Sequence, residues 1–114
     1  IGEINRPRLA LFRDQHLVPG GNRVDILKLI QDDELLRDKK TALVGYADSW
    51  ALTYFLIKTH REQYYEYLRI LAKKPPLAQD GPNQRLADFK AAFGDDVAQL
   101  EEDFVRYIRT LPAR

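Results

Sequence analysis

Apolar residues recur along this chain at helical spacing, three and four residues apart, almost from end to end. Alternating runs of the β type are absent, apart from an ambiguous stretch at Leu9–Phe12. The pattern predicts an all-α fold: one bundle-like domain of five or six helices joined by short turns. A first segment at about 6–16 has Pro7 placed for an opening helical turn, and Pro19, Gly20 and Gly21 break the chain after it. A second helix is expected from about Arg23 to Asp32, with Asn22 as N-cap and Val24, Leu27 and Ile30 as its apolar stripe. Residues 33–40 are charged, with Leu35 and Leu36 turned inward.

The strongest signal is a helix over about 41–58. Apolar groups from Leu43 to Ile57 occupy most of its circumference, as in a central, buried helix. Thr59 and Glu62 have the spacing of a capping box for a fourth helix, which carries Tyr64, Tyr65, Tyr67, Leu68 and Leu71 and ends near Lys73–Lys74. In that helix Tyr64, Leu68 and Leu71 are expected to pack inward and Tyr65 to be half exposed. Residues 75–83 read as a loop, since Pro75 and Pro76 stop a helix. A fifth helix covers about 84–93 and closes at Gly94. Asp95 or Asp96 then caps a sixth, whose stripe is Val97, Leu100, Phe104, Tyr107 and Ile108, and which Pro112 ends.

A length of 114 residues fits one domain, 1–114, with a single modest core. Eighteen Lys and Arg against seventeen Asp and Glu leave a net charge of +1. That balance gives no electrostatic case for nucleic acid, and no run of about 18 apolar residues is present to span a membrane. The absence of cysteine removes disulfides, thiolate ligands and a cysteine nucleophile together. A chain that opens at Ile1 and contains no methionine is expected to be a piece of something longer.

The familiar catalytic motifs are missing. His16 and His60 are not in an HExxH arrangement, and both read as surface or junction residues; no metal ligand is assigned in this chain. Gly20-Gly21 lacks the lysine of a phosphate loop, and Ser49, the only serine, has no nucleophile elbow around it. The acidic pairs Asp32-Asp33, Asp95-Asp96 and Glu101-Glu102 read as caps or solvated faces.

One stretch does point somewhere. GYADSWALTYFLI at 45–57 resembles the segment that follows the zinc site in gluzincin peptidases, often written Tyr-Ala-Gln-Ser-Trp-Ala-Leu-x-x-Phe-Leu. The family it is most similar to is the one called domain of unknown function 1570, whose members look like peptidase-MA-type proteins. The Tyr-rich helix at 64–71 and FKAAFGDDVAQLEEDFVRYI at 89–108 resemble that family's next helix and its closing pattern. The likeness covers about 40–111, and more loosely 22–39.

This resemblance implies the C-terminal helical part of a gluzincin-type zinc metallopeptidase. The zinc ligands and the general-base Glu would lie upstream of Ile1, so the cofactor would belong to the parent protein and not to this chain. The partners it implies are the N-terminal metallopeptidase-like portion of the same polypeptide and a peptide substrate. Tyr46 matches the tyrosine that donates its hydroxyl to the oxyanion in aminopeptidase relatives, whereas Asp48 departs from the family's usual Gln. Residue spacing offers another reading, because Tyr46, Trp50, Tyr54 and Ile57 form one helix stripe of the kind that packs into cores. The alternative at the level of function is a helical protein–protein interaction module, with an amphipathic helix such as 95–110 docking in a partner's groove.

Overall fold

A computed structural model describes residues 3–75 and 80–112. Among them the chain forms α1 (Arg6–His16), α2 (Ile26–Gln31), α3 (Glu34–Arg37), α4 (Ala42–Thr59), α5 (Arg61–Ala72), α6 (Pro82–Phe93) and α7 (Val97–Thr110), with no strand. The all-α expectation holds, with seven helices in place of five or six. The additional one is the single turn α3, built by the charged segment around Leu35 and Leu36, both of which are half-buried.

Several helix ends follow from local chemistry. Asn5 accepts a hydrogen bond from the Arg8 amide, and Pro7 occupies the first turn of α1, where a missing N–H costs nothing. Asp96 accepts from the Gln99 amide at 3.0 Å and opens α7. Gly94 closes α6 with φ 97°, a backbone state that side-chain-bearing residues avoid.

Three boundaries differ from expectation. Asp25, not Asn22, caps α2, accepting from the Lys28 amide. A second carboxylate, Glu101 from α7, accepts from the Ile26 amide at 3.1 Å and pairs with Arg23. With the helix starting at Ile26, its buried pair is Ile26 and Ile30, while Leu27 is left 42% exposed. The capping box at Thr59–Glu62 does not form. The Thr59 hydroxyl donates back to the Phe55 carbonyl at 2.7 Å, and His60 becomes the junction between α4 and α5. The loop expected at 75–83 is cut short by α6 beginning at Pro82, and its residues 76–79 lie outside the described residues.

α4 is the central element, touching α1, α2, α3, α5 and α7. Its Ala51, Leu52, Phe55 and Leu56 join Phe12, Phe89, Phe104 and Ile108 in one core. Phe104 lies at 5.5 Å, ring to ring, from both Phe12 and Phe55, so α1, α4 and α7 meet in an aromatic triad. The Arg13 guanidinium donates to the Ile108 and Leu111 carbonyls, which satisfies the end of α7 from α1. The apolar stripe of α7 is therefore consumed in the interior. α5 is the opposite case. It has no fully buried residue; Tyr64 and Tyr67 lean on the core, while Tyr65, Leu68 and Leu71 are exposed. The expected inward packing of Leu68 and Leu71 is overturned: both are exposed, and the residue α5 sets against Phe89 and Phe93 of α6 is Tyr67.

Gly45 seats α3 on α4. A Cβ there would come within 3.1 Å of Leu35 Cβ and Leu36 Cδ2, and within 3.3 Å of the Leu35 carbonyl carbon. The Leu36 methyl can swing away, but atoms at and beside the Leu35 backbone cannot. Gly45→Val is expected to cost about 1–3 kcal/mol in urea unfolding despite removing a glycine from a helix interior. Unchanged or raised stability would show that α3 shifts freely.

Candidate functional site

The expectation of a wholly buried α4 fails along one edge. Leu43 is 76% exposed and Tyr46 47% exposed, and Trp50 is half-buried at the border of the core. Of the stripe Tyr46, Trp50, Tyr54 and Ile57, only Tyr54 is fully buried. Tyr46 is thus not a core residue. Its ring lies beneath the Arg8 guanidinium of α1, 5.8 Å from cation to ring centre, a cation–π arrangement that orients the ring on the surface. No hydrogen bond among the described residues engages its hydroxyl, so the phenol is free to donate outward.

Asp48 points the other way. Two residues along an α-helix turn the side chain by about 200°, so a carboxyl at 48 faces inward when a phenol at 46 faces outward. Asp48 is buried, and its Oδ1 lies 2.8 Å from His16 Nε2. The other ring nitrogen, Nδ1, is 2.8 Å from the Asn22 carbonyl. The His16 ring also packs on Phe12, 4.8 Å between centroids. His16 is therefore neither a surface nor a simple junction residue; its side chain is only 6% exposed. Burial pushes the Asp48 carboxyl above its ordinary value, and the charge and hydrogen bond of His16 oppose that rise. His60, in contrast, does sit at the α4–α5 junction, with its ring against Phe55 and Phe93.

The His16–Asp48 pair is the feature that reasoning from sequence missed. Its members are 32 positions apart and belong to no motif. The available signal was Asp48 itself, the only acidic residue of α4, standing between Ala47 and Ala51, which are both buried.

A second feature is a cleft of about 630 Å³ between the α2–α3 region, α5 and α6. Several of its charges pair with one another. Lys74 Nζ lies 2.7 Å from Asp80 and 2.9 Å from Asp88, and Arg85 pairs with Asp33 while donating to the Ile30 carbonyl. The Lys74 ammonium holds the Asp88 carboxyl below its ordinary value. This network braces α6 against its neighbours.

Among the described residues no group of three or more His, Asp or Glu side chains could hold a metal ion, so those residues do not fit zinc as a ligand set. No described helix is long and apolar enough to cross a membrane. The family model described as "Protein of unknown function (DUF1570)" matches residues 1–78. The chain belongs to the DUF1570 family. The matched span takes in α1 to α5, and with them the Tyr46 edge and the His16–Asp48 pair. No curated protein and no solved structure matches the chain. The DUF1570 match ends before α6, yet α6 and α7 contribute Phe89, Phe104 and Ile108 to the common core, so matched and unmatched parts fold together.

Proposed function

We propose that this DUF1570 chain is the helical part of a gluzincin-type zinc metallopeptidase, in which the open edge of α4 walls the active-site cleft and Tyr46 stabilises the oxyanion. The observation that carries this reading is the outward, half-exposed phenol of Tyr46 on an otherwise buried helix. An apolar edge of Leu43, Tyr46 and Trp50 is costly to leave in water and suits contact with another part of the same polypeptide. That part would carry the metal ligands, and the zinc it holds would activate the water for amide hydrolysis.

What this chain's own residues do is positional. α4 is held on several sides by the core, so Tyr46 projects from a rigid support. Arg8 lies over its ring. A phenolic O–H placed beforehand at a developing oxyanion needs no reorganisation as charge builds up, which is the source of its leverage on rate. Asp48 faces inward and is paired, so its departure from the family's Gln puts no free carboxylate beside that phenol.

A photo-cross-linking amino acid in place of Leu43, in the intact polypeptide, tests the docking. The position is exposed, so the fold should tolerate it. Adducts are expected on the portion that carries the metal ligands. Adducts only on other segments, or on separate proteins, would favour an interaction module. That alternative cannot use α7 as the docking helix, because Val97, Leu100, Phe104 and Ile108 are buried.

A further inference from the structure

We infer that His16 and Asp48 form a proton-dependent latch between α1 and α4, closed while the two side chains share one proton and loosened when that proton leaves. The inference stands apart from the peptidase reading, because it concerns how the chain holds itself together.

Hydrogen-bond roles dictate the proton count. A backbone carbonyl can only accept, so the 2.8 Å contact to the Asn22 oxygen places a hydrogen on His16 Nδ1. Nε2 and Asp48 Oδ1 are also 2.8 Å apart. Two lone pairs do not face each other at that distance, so a second hydrogen lies between them. Imidazolium with carboxylate and neutral imidazole with carboxylic acid have the same proton count. The two side chains are only 6% and 8% exposed, so little water is at hand to soften the loss of that proton.

Among the described residues, His16 is the one side chain that hydrogen-bonds or ion-pairs with Asp48. Elsewhere on α1, Arg13 is engaged with the α7 carbonyls and Asp14 is exposed. Arg8 lies over Tyr46, on the outward side of α4.

The latch fixes a definite segment. His16 ties the end of α1 to Asn22, whose amide donates back to the Gln15 carbonyl at 2.9 Å. Gly21 is pressed so close that a Cβ would stand 3.0 Å from the Gln15 and His16 backbone. Through one imidazole, the last turn of α1 and the 17–22 turn are pinned to the middle of α4. The direction of the pH effect follows from Asp48. A carboxyl whose folded value is raised lends stability that is full below its ordinary value of 3.8 and is lost as pH rises through the folded value.

The test is amide hydrogen exchange in the intact protein, from mildly acid to mildly alkaline pH, with intrinsic exchange rates divided out. Protection of α1 and the 17–22 turn is expected to fall as pH rises, by up to about tenfold per pH unit, the limit for one proton. Protection at the α5–α6 contact should stay level. Asp48→Asn keeps the contact, because its carboxamide donates to a neutral Nε2, but has no carboxyl proton to lose; its α1 protection should not fall as pH rises. An unchanged slope in Asp48→Asn, or wild-type α1 protection that parallels α5–α6 at every pH, overturns the latch. Should the variant not fold, ring nitrogen NMR of the wild type decides: protonated Nδ1 with a hydrogen shared at Nε2 in acid supports it, and a bare Nε2 lone pair there overturns it.

Discussion

Replacing Phe104 by alanine is expected to destabilise the fold by about 3–5 kcal/mol, the usual cost of deleting a buried phenylalanine. Phe104 is 0% exposed and joins α7 to α1 through Phe12 and to α4 through Phe55. The cavity left behind would be walled by three helices that are each held elsewhere, α1 by His16 and α7 by Arg13, so collapse around it is restricted. A domain of this size has about 5–15 kcal/mol of stability in total, so the variant forfeits a large share of it. Urea or thermal unfolding should show the loss directly. Tyr65→Ala, on the exposed side of α5, is the matched control and should stay within about 0.5 kcal/mol of wild type. A Phe104→Ala protein as stable as that control would mean that the aromatic triad is not the centre of the core.

This dependence bears on what a family match describes. The matched residues 1–78 do not include α6 and α7. A chain ending there would leave Phe12, Phe55 and Leu56 without Phe89, Phe104 and Ile108. The family signature therefore marks a sequence pattern that is physically completed by the helices after it.

How much was legible from sequence depended on whether the deciding interaction was local. α4 was legible because eighteen residues with apolar groups almost all round can only be a central helix. The ends of α6 and α7 were legible because Gly94 and Asp96 act on their own neighbours. The start of α2 was not, because Asn22 and Asp25 are both competent caps and the choice is reinforced by Glu101, which α7 brings from 75 residues away. The capping box at Thr59 looked sound in isolation, but its hydroxyl had a nearer acceptor one turn back. For α5, periodicity gave an apolar side without telling how much of it a neighbour would cover.

The candidate site divides in the same manner. Tyr46 was singled out by resemblance, yet stripe spacing placed it in the core, and only the packing of α1 and α3 on α4 shows that it faces out. His16 carried no signal at all. Its role is set by a long-range contact to an aspartate that looked like a mere departure from a pattern. An acidic residue embedded among alanines on a buried helix face is itself a reason to search for a distant cation or proton donor.

Tyr46→Phe isolates the Tyr46 hydroxyl by removing one oxygen and nothing else. The ring, its contact with Arg8 and the half-exposed position are all retained, so unfolding stability should be unchanged. In the intact polypeptide, with its metal content checked and equal to wild type, kcat for peptide hydrolysis is expected to fall by about 10²–10³, the range for losing one oxyanion donor. KM should move little, since that hydrogen bond strengthens only as charge develops. A Tyr46→Phe variant with wild-type kcat, equal stability and equal metal content would contradict the proposal that this edge of α4 takes part in the chemistry.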